Sequence, residues 1–400
     1  MTDEEFIRIH RNDDVHRLAL TARRDSCDNM TAALTQIAAL QTAERKIPSW
    51  AATQGITWGA TTAMEQCSSE ATARYKAALV RRLTRERRLT SRVTLVDLTG
   101  GLGVDFSFMA RETHSATYVE RDARLCSIAE ANFRALGIDE TSVVCATAEQ
   151  YLATMKPCTI AYMDPSRRTA GGRRAYAIAD CSPDAAALAP LLRQKADIAI
   201  VKLSPMLDIH KAAKDMGEGV SEVHIVEADG ECKELLLLLR RDATAQQRIV
   251  CARCSPQQHN ILATIEPETR NEEAPTASPS GKKYLYEPSP SLMKAACFAH
   301  IARRYGAAMV AANSHLFVAD APIEGFPGRA FRIRSVVAMA KKERKTALAG
   351  IAKANIAVRN FPLSAEALRR ILSLDDGGDT YIFGTTTASG RHILIVAERQ

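Results

Sequence analysis

The spacing of apolar residues changes character once along the chain, close to residue 90. Before that point apolar positions recur at intervals of three and four over 16–45 and 62–83, which predicts amphipathic helices, interrupted at Ile47-Pro48-Ser49. Beyond it, short β-rich runs at 93–98, 116–120, 142–146, 159–163, 197–203 and 222–227 alternate with helical stretches. Such alternation predicts right-handed βαβ crossovers and a parallel sheet. The sixth run is followed only by Ala228-Asp229-Gly230-Glu231 before another apolar run at 234–239. A parallel return needs roughly a dozen residues or more of crossover, whereas an Asp-Gly pair makes a two-residue turn. The seventh strand is therefore predicted to run antiparallel to its neighbours.

After Arg241 the alternation stops. Runs at 247–251 and 260–265 predict a second hairpin, and 266–291 is rich in Pro, Ser, Glu and Gly, which reads as a linker or long loop. A helix over 292–305, strands near 308–319 and 329–338, a helix around 364–373 and a closing hairpin of 380–384 with 392–397 predict a small α+β region. No internal repeat is present. The expected division is a helical region (1–90), an α/β sheet domain (91–245), a hairpin with linker and further α+β structure (246–330), and a terminal α+β domain (331–400).

A length of 400 residues agrees with more than one core. The first ten residues are acidic and lack the apolar segment of a secretory signal. The longest apolar stretch, 235–239, is too short to span a bilayer. Ten scattered cysteines without an export signal are expected to be reduced thiols, with the cytoplasm as compartment. The net charge of +7 is unevenly distributed. Residues 331–370 carry an excess of eight positive charges, 81–92 an excess of five and 167–174 an excess of four, so the rest of the chain is net acidic. Concentrated positive charge is what a polyanion such as a nucleic acid requires of its partner.

Asp97 to Asp105, DLTGGLGVD, follows a predicted strand and precedes a helix. A glycine-rich turn there lets backbone approach a ligand closely. A dinucleotide fingerprint would place a third glycine where Phe106 stands, and a bulky ring disfavours that packing. The acidic Asp97 suits a cationic, phosphate-free cofactor. Glu120, ending the second strand with Arg121 beside it, stands where an acid accepts hydrogen bonds from ribose hydroxyls. Asp164-Pro165-Ser166-Arg167-Arg168 follows the fourth strand at the carboxyl edge, where open α/β sheets bind ligands. Gly171-Gly172 between Arg167, Arg168 and Arg173, Arg174 makes this a basic loop suited to gripping substrate. Lys202 reaches the same edge after the fifth strand, as a substrate contact or a structural lysine. Thiol catalysis would need a cysteine at this edge; Cys158 precedes the fourth strand, at the wrong end, and Cys181 would have to return by loop geometry. Cys251 and Cys254 form a single CxxC, so no metal site is expected.

Taken together, LVDLTGGLGVD, MDPSRRTAGGRR, VKLSP, VEADGECKE, KKYLYEPSPSLMKA and FRI before a basic stretch resemble one group over roughly 50–400: bacterial class I S-adenosylmethionine-dependent methyltransferases with a THUMP-like C-terminal domain. The resemblance implies a seven-stranded Rossmann-like sheet, a ferredoxin-like piece after the hairpin, and a THUMP-like module at the end. It implies that Asp97, Gly100, Gly101 and Gly103 line the methionine end of S-adenosylmethionine and that Thr99, Asp105 and Asp164 also contact the cofactor. Glu120 and Arg121 would lie at the ribose, and Ala148 and Glu149 beside adenine. Thr147 replaces an Asp usual in that last loop. Asp164, Pro165 and Ser166 would form the catalytic turn, yet Ser166 and Arg167 depart from the Pro-aromatic pair of amine-methylating relatives. The expected activity is methyl transfer to RNA, with no metal and no membrane partner. The alternatives are an RNA-binding protein that keeps the fold without chemistry, or a methyltransferase acting on protein or a small molecule.

Overall fold

The computed structural model describes residues 2–21, 26–59, 61–86, 92–167, 178–242, 247–266 and 272–400. Their contacts separate into two units, one of them 1–229 with 233–247 and 252–260, the other mainly 261–400. None of the described helices is long and apolar enough to cross a membrane.

In the first unit the helical region comprises α1 (Asp3–His10), α2 (Val15–Thr21), α3 (Met30–Lys46), α4 (Pro48–Ala51), α5 (Thr61–Gln66) and α6 (Glu70–Glu86). Tyr75, Leu79, Val80 and Leu83 of α6 are buried in the core of the sheet domain beside Phe106 and Met109. The helices are thus part of that domain's core.

The sheet strands are β1 (Thr94–Asp97), β2 (Ser115–Glu120), β3 (Thr141–Cys145) and β4 (Cys158–Met163), then a short pair β5 (Ser166–Arg167) and β6 (Cys181–Ser182), then β7 (Ala196–Leu203), β8 (Val220–Ala228), β9 (Glu231–Arg240), β10 (Arg248–Cys254) and β11 (His259–Ile265). The intervening helices are α7 (Val104–Ala110), α8 (Ala123–Ala135), α9 (Ala148–Thr154), α10 (Ala185–Lys195) and α11 (Ile209–Asp215). Strand order is β3-β2-β1-β4-β7-β9-β8-β10-β11. β1 to β4 and β7 pair in parallel, and β9 runs antiparallel to β7, as the short Asp-Gly connection requires. Asp229 and Gly230 both have left-handed backbone, φ 53° and 76°, which a type I′ turn needs at its two central positions.

Among the described residues the sheet has nine strands rather than the expected seven. The second hairpin, β10 with β11, adds to β8, every residue of which is buried. Without β10 that strand would be an unpaired edge.

In the second unit the elements are β12 (Tyr284–Pro288), α12 (Pro290–Ala295), α13 (Phe298–Tyr305), β13 (Ala308–Met309), β14 (Phe317–Ala319), β15 (Gly328–Ala338), α14 (Lys341–Ala347), β16 (Asn355–Arg359), α15 (Ala365–Leu372), β17 (Thr380–Thr386) and β18 (His392–Arg399). They build one seven-stranded sheet, β13-β14-β12-β15-β18-β17-β16, over a core that includes Leu285, Phe331, Phe383 and Ile395. Two expectations are corrected here. Residues 284–288 are not linker but a strand between β14 and β15, burying Leu285 and Tyr286. The helix expected over 292–305 is two helices, parted where Ala296 adopts φ 51°.

Beneath the glycine-rich loop the sheet domain stacks three rings, Phe106, Tyr118 and Phe133, with centroids 4.8–5.6 Å apart. Phe133 is 1% exposed. Phe133→Ala is expected to cost about 3–5 kcal/mol of unfolding free energy, measured by urea denaturation of the full chain.

Candidate active site

The strand order switches direction between β1 and β4, which opens a crevice at the carboxyl ends of the strands. A cavity of about 530 Å³ lies there, within the usual range for small-molecule sites. Asp97, Thr99, Gly100, Gly101, Gly103, Asp105, Glu120, Arg121, Ala148, Glu149, Asp164 and Ser166 all line it.

The loop after β1 is shaped by what lies under it. A Cβ at Gly100 would meet the Tyr118 ring at 2.0 Å. Gly103 takes φ +80° at the start of α7, and a Cβ there would stand 2.8 Å from Phe133. Phe106, which breaks the dinucleotide pattern, is one of the rings in this floor. The loop is tied at both flanks: the Gly101 N–H donates to Glu120 Oε2 (2.9 Å), the Asp122 N–H to Glu120 Oε1 (3.0 Å), and the Tyr118 hydroxyl to the Gly101 carbonyl. Glu120 therefore has a fixed orientation, with one backbone donor on each oxygen.

Asp97 is 1% exposed and accepts the Thr99 N–H at 3.0 Å. Burial, with the neighbouring Asp105, Asp164 and Glu120 carboxylates, pushes its carboxyl well above the usual range despite that hydrogen bond. Thr147 accepts from the Gln150 N–H (3.2 Å) and caps α9, so its hydroxyl is occupied by the helix. Ala148 is buried, and Glu149 and Arg121 are exposed at the rim.

Asp105 faces inward. Its Oδ2 accepts from the Ser68 hydroxyl and the Tyr162 hydroxyl, each at 2.8 Å, and Oδ1 lies 3.2 Å from the Lys76 ammonium. Oδ2 is thus engaged by two hydroxyls, while Oδ1 meets the Lys76 ammonium without a hydrogen bond. Lys76, on α6 with no exposed surface, donates to both oxygens of Glu234 (2.6 and 2.7 Å). Lys202 donates to Asp164 Oδ2 (2.6 Å) and to Ser68 Oγ (3.2 Å), and lies 3.7 Å from Asp105 Oδ2. Burial alone would lower the Lys202 ammonium, but Asp164, Asp105 and Glu234 outweigh it and hold it well above the usual lysine range. Burial alone would raise Asp105, but Lys76 and Lys202 outweigh that and hold it below the usual carboxylate range.

Ser68, Lys76, Tyr162 and Glu234 escaped the sequence reading. A signal existed for Lys76: Leu79, Val80 and Leu83 follow it at +3, +4 and +7, so it sits on the buried stripe of α6. Asp164 lines the rim with its side chain 36% exposed, and its N–H donates to Thr99 Oγ1 (2.6 Å). The Ser166 hydroxyl donates to the Ser182 carbonyl (3.1 Å) across the β5–β6 pair. Arg167 lies on β5, whereas Arg168, Arg173 and Arg174 fall outside the described residues. Cys158 is buried at the start of β4, its thiol pushed up to about 12 by burial, and Cys181, paired with Arg167 across the small sheet, is buried as well. Among the described residues no group of three or more His, Cys, Asp or Glu is arranged to hold a metal ion.

The strand order with its inserted antiparallel strand, and a cavity at the switch point beside a glycine-rich loop, define the first unit as a class I methyltransferase domain. A ferredoxin-like domain family model matches residues 284–327, and a THUMP domain-like model matches 328–399. The crystal structure of a candidate methyltransferase from Porphyromonas gingivalis W83 is 30% identical, covers 99% of this chain and 97% of its own, and superposes with a TM-score of 0.84. The chain belongs to that family, bacterial class I S-adenosylmethionine-dependent methyltransferases with a THUMP-like C-terminal domain. An rRNA methylase from Streptococcus thermophilus (14% identity, 42% of this chain and 94% of its own, TM-score 0.31) and a SAM-dependent methyltransferase from Agrobacterium tumefaciens (13%, 46% and 52%, 0.29) are too distant in shape to bear on function. No curated protein matches the chain.

A carboxyl held below its unfolded value contributes stability that is complete above the unfolded carboxylate range, about pH 4, and is lost as pH falls through the folded value. Asp105→Asn is therefore expected to reduce unfolding free energy at pH 7 by about 1–3 kcal/mol and to flatten the acid side of the stability profile, read from urea denaturation between pH 7 and pH 3.

Proposed function

We propose that this chain is an S-adenosylmethionine-dependent methyltransferase that acts on RNA in the cytoplasm. The observation that carries the donor assignment is the acidity of the cavity: of the five carboxyls lining it, Asp97 is buried and Asp105 and Asp164 are paired with lysines, which leaves Glu120 and Glu149 facing it with Arg121 as the one basic side chain among the described lining residues. A pyrophosphate-bearing cofactor would meet repulsion there, whereas a cation without phosphate is attracted. The residues present fit the donor. Glu120, held by two backbone N–H groups, presents acceptor oxygens to a ribose diol, and the loop at Gly100 and Gly101 leaves room for the amino-acid end. When bound, S-adenosylmethionine supplies an electrophilic methyl group.

The chain's own work is to hold and orient. Asp164 stands at the cavity rim beside the methyl position this reading implies, and orients the acceptor. RNA is favoured by the basic clusters and by the THUMP domain-like family match. Part of the C-terminal positive charge is structural, since buried Glu287 binds Arg329 (2.7 Å) and Arg359 (2.6 Å). The helix α14, KKERKTA, buries none of its side chains and keeps cationic groups for a polyanion. No disulfide joins any of the ten cysteines, as the reducing cytoplasm favours.

The test pairs calorimetry of S-adenosylmethionine binding with transfer of tritiated methyl to RNA from cells lacking the gene. Asp164→Ala is expected to keep donor affinity within about threefold while transfer falls at least about 100-fold. Full transfer by that variant would remove the role given to Asp164. Donor binding by the wild type without transfer to any RNA would favour the non-catalytic alternative.

A further inference from the structure

We propose that the methylated atom is a ribose hydroxyl oxygen of RNA, with Asp164 receiving its proton and Lys202 positioning that carboxylate. The proposal rests on the RNA methyltransferase reading above and adds the acceptor to it.

Met163 of β4 pairs with Val201 of β7 in parallel register, so the next residues, Asp164 and Lys202, emerge side by side at the carboxyl edge. Behind their 2.6 Å contact the charges continue inward through Ser68 and Asp105 to Lys76, whose ammonium is clasped by both oxygens of Glu234. Exposure falls along this chain, from 36% at the Asp164 side chain to 13% at Lys202 and none at Lys76. Ser68 and Asp105 line the cavity too, but Asp164 is the most exposed of the three carboxylates. Two lysines and three carboxylates are thus arranged so that the most accessible carboxylate already carries an ammonium on one oxygen.

That arrangement selects among acceptors. An exocyclic base amine is delivered on a base that must be unstacked and held on a flat surface. Among the described residues lining the cavity the only aromatic is Tyr162, which is 1% exposed with its hydroxyl on Asp105. Asp164 Oδ2 is occupied by Lys202, and no described residue bonds Oδ1. One available carboxylate oxygen can take the single proton that a hydroxyl loses on methylation, so the missing stacking surface is what favours a hydroxyl over a base amine. In RNA the ribose 2′-hydroxyl is such a group, and it needs no stacking surface.

The hydroxyl oxygen forms a bond to the methyl carbon while the carbon–sulfur bond breaks and its electron pair stays on sulfur. The hydroxyl proton passes to Asp164 Oδ1 and then to water. A cationic sulfonium and a carboxylate thereby become a neutral thioether and a carboxylic acid, so charge balances. Lys202 touches neither reacting atom and acts by fixing Asp164.

The experiment uses the full chain, tritiated S-adenosylmethionine and RNA from cells lacking the gene, followed by alkaline hydrolysis. Alkali cleaves RNA through the 2′-hydroxyl, so a 2′-O-methyl group leaves label in alkali-resistant dinucleotides, the expected result. Label in mononucleotides would overturn the hydroxyl acceptor and leave RNA methylation standing. Label absent from RNA, with S-adenosylhomocysteine still bound in calorimetry, would overturn the RNA reading itself. Lys202→Met is expected to lower transfer at least about 100-fold, with S-adenosylhomocysteine affinity within about threefold of wild type. Lys202→Arg, which keeps the charge and guards against misfolding of the first variant, should recover at least about tenfold of that loss. Transfer by Lys202→Met within about threefold of wild type would remove the positioning role of Lys202.

Discussion

Lys76 enters the interior on α6 with no exposed surface, where Glu234 takes its side-chain nitrogen with both oxygens and Asp105 approaches from α7. Removing one member of such a group typically costs about 3–5 kcal/mol, although replacing a whole buried pair by apolar residues is often neutral. Net stability is therefore a weak reason for the cluster. What it does supply is position. It locks α6 against the carboxyl edge of the sheet and, through Ser68 and Asp105, against Lys202 and hence Asp164. The helical region and the cavity are in this sense a single piece of machinery.

Topology explains how the carboxylates converge. The first residues of a parallel strand lie at the amino edge, far from the cavity. The Asp229-Gly230 turn reverses the chain, so β9 begins at the opposite edge. With Leu235 paired to Leu203, Glu234 falls just past the carboxyl end of β7. An inserted antiparallel strand is thus what brings a glutamate to the buried side of the site. Asp164 and Lys202 arrive by the simpler route of two neighbouring parallel strands ending together.

Much of this was legible in the sequence. Strand-end rules placed the glycine-rich loop, Glu120 and Asp164 at one edge, the family resemblance added Ala148 with Glu149, and the structure lines one cavity with them. The two-residue connection gave the antiparallel strand. Other features were hidden for physical reasons. Lys76 sits in a run of Ala and Arg where a lysine ordinarily reads as solvated, and its acid partner is 158 residues away. Glu234 opens an apolar strand, where a charge looks like a boundary. Tyr284 to Pro288 was masked by the Pro- and Ser-rich composition around it, although two of its residues, Leu285 and Tyr286, are fully buried. The basic C-terminal stretch looks like one patch, yet Glu287 claims Arg359 within it and Arg329 just before it, pairings across 72 and 42 residues that no local pattern shows.

We propose that the cavity at the carboxyl edge holds an adenosyl group, with Asp164 already fixed by Lys202 at its rim. The decisive measurement is a crystal structure with S-adenosylhomocysteine. The ligand should lie along Asp97, Gly101, Glu120 and Glu149 with the Lys202–Asp164 contact intact. A cavity left vacant at saturating ligand, or a Lys202 withdrawn from Asp164 in the complex, would contradict it.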